Sequence, residues 1–495
     1  MSTPRSDASA ASEPSPRPSS LDPRRTARAT AFAVAATVIE KGGAMLLLLF
    51  IARTLGAEDF GRYAALMALV TFVQLGAEFG QEPVLVRLLA QRGRGDMQRL
   101  VDGAMAMRLA FTAVGGAVLI AVGARLLPIG AATVALAAGG LVATTGAVLR
   151  AVFRTEQRLD RLCIVALVNV TTFAAVLAIA RAWQLGLAGV VAAWSMGQLG
   201  SSLTATALAR RMLPVRPRWR TAVTATLARS GWALALNALL LTVTFRVGQL
   251  IVVDLLGAEQ GGYLAAGSRL AEGFALVPEP LMLVLLPAFA AYDVAARGAQ
   301  RALGVRVVRW LGVFALTIIV AASTAAPTLV VLLFGMRYLP AVPVLRVSIW
   351  LALLAATGSV LTNLLIARGL ERVLLAANAV SSLVTIGLSL IVVPRLGFVG
   401  AAAVSLAASL LAQVLLAVFP ATRADVLACV RPLGPPFVLA LACVLVGMLL
   451  PGAPLATGAI VTLAFIGATV AIGALGMDDV RLLRDALGRT RRHPD

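Results

Sequence analysis

Seven charged residues interrupt runs of sequence that are otherwise apolar: Glu40, Lys41, Glu78, Arg108, Arg246, Arg269 and Glu272. A charge at membrane depth costs several kcal/mol, so it faces a cavity or a partner. Arg246 stands eight residues before Asp254 and Arg269 seven after Gly262, which places them about 12 and 10 Å below one end of their helices at ~1.5 Å per residue. Two arginines at similar depth on consecutive helices could form a cationic site about the size of a pyrophosphate, because the planar guanidinium presents paired donors to phosphate oxygens. The bland alternative pairs Arg269 with Glu272, one turn away, and Arg246 with another carboxylate. Lys41 and Glu40 fall roughly 16–20 Å below the end of theirs. Neighbouring helical residues point apart, so one can face a cleft while the other packs against a helix. Lys41 is expected either to touch phosphate or to pair with Glu78 or Glu272. Glu40, Glu78 and Glu272 are the acidic groups able to carry a coupling proton or Na⁺, since the one histidine, His493, lies at the C-terminal end. Arg108 opens a helix and is expected to snorkel to headgroups or to serve a portal or gate.

The elements that carry these residues are transmembrane helices. The chain has 495 residues, 60% hydrophobic and 13% charged, with a mean hydropathy of +0.91. Soluble domains are about half apolar and a quarter charged. Runs of about 20 apolar residues recur at 30–52, 61–82, 104–124, 128–149, 162–180, 185–208, 230–253, 262–290, 306–326, 344–367, 372–393, 397–420, 434–451 and 455–476, so an all-α polytopic membrane protein of about fourteen transmembrane helices is expected. Residues 1–28, rich in Ser, Pro, Ala and Arg, read as a disordered tail. Pro278 and Pro280 are expected to kink the eighth helix around Glu279.

The basic residues set the orientation. With the N-terminus inside, 32 of the 43 fall in cytoplasmic loops and tails, 7 in the opposite loops and 4 within helices. The bias alternates at nearly every loop, which gives cytoplasmic N- and C-termini.

The pattern L-G-A-E-x-x-G occurs at Leu55–Gly61 and again at Leu256–Gly262, each time after an apolar run and before another that opens with tyrosine and alanine. This is the mark of a duplication. Each copy reads as the tip of a helical hairpin on the outer side, with glycine for the tight backbone and acid to keep the tip in water. The halves then share one orientation and relate by a pseudo-two-fold along the membrane normal. The expected division is a six-helix lobe over 29–209, a cytoplasmic linker over 210–229, a second six-helix lobe over 230–421, two extra helices over 422–477 and a cytoplasmic tail over 478–495. Such halves around a cleft suggest alternating access.

Composition excludes other chemistry. The net charge of +20 follows the membrane sidedness rather than a nucleic-acid surface. No G-x-x-x-x-G-K-[ST] loop is present, and the sole lysine lies in a helix. Cys163, Cys429 and Cys443 lack ligand spacing and read as small core residues. No catalytic pair, metal set or cofactor is expected. Asn237, Gln249, Asn363, Asn378 and Gln413 are possible sugar contacts, with helix–helix hydrogen bonding as the default.

Four stretches carry a family resemblance. FIARTLGAEDFGRYAALMALVTFVQLGAEFGQEPVLVR (50–87) resembles the opening of the polysaccharide (O-antigen-type) flippases, in the superfamily that also holds multidrug extruders and peptidoglycan-precursor flippases. RVGQLIVVDLLGAEQGGYLAAGSRL (246–270) resembles the start of their second half. LLFGMRYLPAVPVLRV (332–347) and VPRLGFVGAAAVSLAASLLAQ (393–413) resemble their later hairpins. The likeness covers most of 30–420. One departure is Gly248, where relatives often carry aspartate. The resemblance implies a V-shaped two-lobe bundle, not an enzyme, that moves polyprenyl-pyrophosphate-linked oligosaccharide from the inner to the outer leaflet of the cell inner (plasma) membrane. On that reading Arg246, Arg269 and Lys41 hold the pyrophosphate. The expected partners are this cargo, membrane lipids and a polysaccharide polymerase or glycosyltransferase, with the chain a monomer. A multidrug extruder would want an acidic cleft, a peptidoglycan-precursor flippase a basic one, and a non-transporting scaffold would have no use for buried charge.

Overall fold

The computed structural model describes residues 23–91, 94–275, 297–450 and 453–474. Every element among them is helical. Helix α1 (Pro23–Glu78) is followed by α2 (Gln81–Gln91), α3 (Arg94–Leu126), α4 (Ala131–Ala143), α5 (Val148–Thr155), α6 (Leu159–Ala182) and α7 (Gly186–Arg210). The second half comprises α8 (Thr221–Leu256), α9 (Ala258–Ala275), α10 (Arg297–Thr324), α11 (Ala326–Phe334), α12 (Val342–Ser348), α13 (Leu351–Ala367) and α14 (Glu371–Val418). Three more follow: α15 (Pro420–Val430), α16 (Gly434–Leu449) and α17 (Pro454–Ala471).

The protein is a multi-pass membrane bundle of two pseudo-symmetric lobes. Ten of the described stretches are long and apolar enough to cross a membrane, against the fourteen expected. The difference has identifiable sources. The stretches 35–91 and 371–418 each contain two expected spans joined at a glycine, Gly56 (φ 79°) and Gly397 (φ 66°). Helix α7 carries Gln198, Ser201 and Ser202, which lower its hydropathy. Helix α9 carries Arg269 and Glu272, and its expected continuation to 290, with the Pro278–Pro280 kink, lies outside the described residues, as do the tail 478–495 and residues 1–22 of the expected disordered tail 1–28; residues 23–28 of that tail are instead the first turns of α1.

Both repeat tips reverse the chain in the same way. Gly56 takes φ 79°, ψ 175° and Gly257 takes φ 95°, ψ 166°, a region that a Cβ makes costly. That α1 folds back is evident from its ends. Glu40, before Gly56, pairs with Arg150, and Glu78, after it, pairs with Arg108. Arg150 lies within electrostatic reach of Arg108, so both limbs meet one cluster.

The largest buried cluster runs through both lobes, from Ile51, Phe60 and Leu66 to Tyr338, Leu345 and Leu364. A second fills the end of the N-terminal lobe away from the tips, around Leu85, Val101, Leu149 and Phe153. Helices α16 and α17 pack on α10. Outward-facing Leu383, Leu390, Val438 and Ile460 remain exposed, as lipid contact requires.

Of the expected linker 210–229, residues 221–229 form the first turns of α8, since no breaker interrupts the sequence there. The rest docks on α3: the buried Asp102 carboxylate accepts the Arg216 N–H at 2.8 Å, and the Asp102 carbonyl accepts the Arg218 N–H at 3.3 Å. Asp102→Ala removes a charge-assisted bond of roughly 1.5–3 kcal/mol. Limited trypsin digestion should then cut faster after Arg218 and Arg220, and an unchanged rate would mean that the bond does not hold the linker.

Candidate functional site

Arg246 and Arg269 meet across the hairpin of α8 and α9, as their depths predict. Between them stands Glu272. Arg246 Nη1 and Nη2 donate to Glu272 Oε1 at 2.8 Å and Oε2 at 3.1 Å, and Arg269 Nη1 donates to Oε2 at 3.1 Å. The sequence offered Glu272 as the partner of Arg269; the fold gives it to both arginines. Glycine at the tip lets α8 and α9 run side by side, and the spacing along each brings the two guanidinium groups to one level.

These side chains line a narrow cleft. Its walls come from both lobes: Ala64 on one side, and Gly248, Ser268 and Ser405 on the other. The three charged side chains keep 19%, 23% and 30% of their exposure, so they are largely desolvated. Gly248 packs closely on the far helix, where a Cβ would press on the Ala401 methyl at 3.3 Å. No carboxylate competes from that position, and Glu272 is the anion of the site. Gln249 donates to the Gly261 carbonyl at 3.0 Å, which ties the cleft wall to the second repeat copy.

The other expected residues lie elsewhere. Lys41 does not line this cleft. Glu40 pairs with Arg150 at 3.4 Å, Glu78 with Arg108 at 3.7 Å, and Glu82 with Arg154 at 2.9 Å. Together they form a charged cluster at the end of the N-terminal lobe away from the tips. Arg108 is 1% exposed, so it does not snorkel to headgroups; the second hydrophobic cluster closes over it. It holds Glu78 just before the Phe79–Gly80 turn, and that turn abuts the other half: a Cβ on Gly231 would lie 2.5 Å from the Phe79 carbonyl.

The sequence had a signal for this cluster that periodicity does not use. The offset relating Gly56 to Gly257 also carries Glu78 onto Glu279 and Arg108 onto Arg309; Glu279 lies outside the described residues. A further buried ion cluster, Asp425 with Arg301 and Arg368, had no sequence signal, because both arginines read as loop charges. The candidate sugar contacts serve the fold: Asn378 donates to Asn237 at 2.8 Å, Gln413 to the Leu354 carbonyl at 2.8 Å, and Asn363 to the Ser359 carbonyl at 2.8 Å.

The sequence matches the polysaccharide biosynthesis protein family over residues 50–343. No curated protein matches it. Among solved structures, the lipid II flippase MurJ in an inward closed conformation superposes with a TM-score of 0.64 at 12% identity, over 90% of this chain and 99% of that one. An inward-facing multidrug resistance MATE family transporter of the MOP superfamily gives 0.63 at 13% identity, over 81% and 99%. A MOP superfamily transporter from Pyrococcus furiosus, described as having a binding pocket of reverse polarity, gives 0.55 at 12% identity, over 82% and 96%. At such identity these likenesses establish the fold and nothing further.

Proposed function

Because the chain belongs to the polysaccharide biosynthesis protein family, we propose that it is an alternating-access flippase that carries polyprenyl-pyrophosphate-linked oligosaccharide from the cytoplasmic to the outer leaflet of the inner (plasma) membrane. The N- and C-termini are cytoplasmic and the repeat tips face outward, as the arginine distribution indicates. The observation that carries the reading is Glu272 bound by two guanidinium groups in a cleft shared by the lobes. That carboxylate occupies the donors that a pyrophosphate would take. The cargo's head displaces Glu272 and is held by Arg246 and Arg269, while the polyprenyl tail stays in lipid. Lys41 contributes as the lobes close around the head. Arg108, which anchors the Phe79–Gly80 turn against the other half, serves as a gate residue on the cytoplasmic side.

Displacement also gives Glu272 a part in coupling. A carboxylate stripped of both arginines in a largely desolvated cleft takes up a proton or a Na⁺. Glu40 and Glu78 are the other candidate carriers. The chain acts as a monomer beside a polysaccharide polymerase or glycosyltransferase that makes or consumes its cargo.

The reading is tested in cells that lack the protein, by extracting polyprenyl-linked glycans and assigning them to a leaflet. One species should accumulate on the cytoplasmic leaflet with loss of a surface polysaccharide. Unchanged glycans together with new sensitivity to cationic drugs would instead establish a multidrug extruder. On purified protein, Glu272→Gln should tighten inorganic pyrophosphate binding roughly tenfold, or about 1.4 kcal/mol, measured by calorimetry. Weaker binding would show that Glu272 helps rather than competes.

A further inference from the structure

We propose that the two L-G-A-E-x-x-G copies, packed on each other and latched by Tyr338, form the outer seal of the translocation path. The contact is reciprocal. A Cβ built on Gly61 would lie 1.7 Å from the Ala258 carbonyl oxygen, and one built on Gly262 would lie 1.9 Å from the Ala57 carbonyl oxygen. Each copy's last glycine therefore meets the residue that follows the other copy's turn glycine. The pseudo-two-fold axis passes between them, and backbone touches backbone at a distance that only glycine permits. The duplication explains why both glycines are needed: the same residue serves the contact from each side.

The latch breaks this symmetry. A turn of 3₁₀ helix at Met336–Ala341 crosses from the C-terminal lobe over the seam. The stretch that connects α3 to α4 in the N-terminal lobe, residues 127–130, is only a short turn. Tyr338 is 1% exposed. Its ring meets Phe60 of the first copy edge-on at 6.0 Å and Tyr263, beside the second, at 6.4 Å. Its hydroxyl donates to the Ala52 carbonyl at 2.8 Å. Arg53 answers from the N-terminal lobe, donating through Nε to the Leu333 carbonyl at 2.9 Å and through Nη2 to the Leu332 carbonyl.

Apart from the Tyr338–Tyr263 ring pair, which lies within the C-terminal lobe, each of these contacts joins one lobe to the other, so the lobes can part at this end with the interior of each intact. The Arg246–Arg269 cleft lies directly below, with Ala64, Leu264 and Ala265 in its lining. Opening the seal exposes that cleft to the tip side. A few hydrogen bonds to carbonyls and a small-residue contact form a closure that is readily reversed.

The outward direction rests on the proposed orientation; the seal itself does not rest on the cargo. The test uses the full chain in intact cells, with Cys163, Cys429 and Cys443 replaced by alanine and Ser268→Cys as a reporter in the cleft. A membrane-impermeant maleimide is added outside. Labelling should be slow in this parent. Tyr338→Phe, which keeps the ring and removes the hydroxyl, should raise the rate about fivefold, the worth of one neutral hydrogen bond. Gly262→Ala, whose methyl cannot coexist with the Ala57 carbonyl, should raise it further. Parental rates in both variants at normal membrane levels would overturn the seal. So would acceleration seen only with reagent delivered to the cytoplasmic side. If Gly262→Ala fails to accumulate, Tyr338→Phe decides. Labelling does not depend on glycan, so a negative result leaves the flippase reading intact, and a different cargo leaves the seal tested.

Discussion

Replacing both Arg246 and Arg269 by alanine, in a chain that also carries Glu272→Gln, is expected to reduce transport by at least about a hundredfold. The two guanidinium groups are the donors that the proposed cargo needs, and hydrogen bonds to charged groups contribute about 1.5–3 kcal/mol each. The Glu272→Gln background matters. Without it the double substitution leaves a carboxylate in the cleft stripped of both partners, and a loss of function could reflect misfolding. The measurement is the cytoplasmic-leaflet accumulation of the lipid-linked glycan, together with surface polysaccharide, at matched protein levels. Arginine-to-lysine replacement at both positions should give an intermediate loss, because lysine keeps the charge but not the bidentate geometry. Near-normal transport by the well-folded triple variant would remove these arginines from the site.

Asp425→Ala is expected to lower stability by about 3 kcal/mol without touching the cleft. Asp425 is 1% exposed on α15. Its carboxylate receives Arg301 Nε from α10 at 2.5 Å and Arg368 Nη1 from the end of α13. Arg368 also donates to Gln300 at 3.0 Å. Removing the acid leaves the Arg368 side chain, 12% exposed, without its counter-charge; Arg301, at 41%, can reach solvent. Most of the cost therefore falls on Arg368. Thermal unfolding of the detergent-purified protein should shift down for Asp425→Ala and less for Asp425→Asn, which keeps an acceptor. An unchanged transition would show that α15 is held by its apolar face alone.

How much of the site was legible depended on sequence distance. Arg246 and Arg269 could be placed at one depth because a turn with a known glycine lies between them, and helical rise converts residue number into height. Glu272 was recognisable as a partner of Arg269 because three residues make a helical turn. Lys41 was offered as a phosphate contact from its place near mid-membrane, deeper than the two arginines, and depth does not fix which way a helix faces; it does not line the cleft. Arg108 looked like a headgroup contact because it begins a predicted span, whereas the fold buries it to 1% exposure. Ten stretches rather than fourteen are long and apolar enough to cross because two of them fold back at Gly56 and Gly397 and because α7 and α9 carry small polar or charged residues.

The sequence by itself determined the membrane class, the two related halves, their tip glycines and the family, since hydropathy, duplication and motif are properties of the chain order. Only the tertiary structure decided which residues face each other across the lobes. Gly61 meets Ala258, Gly262 meets Ala57, Tyr338 reaches Ala52, and Glu272 serves two arginines. The physical reason is that every membrane helix is apolar on most of its surface. The rotation of each helix is therefore set by close packing of small residues and by a few buried polar bonds, and these are formed between segments far apart in the chain.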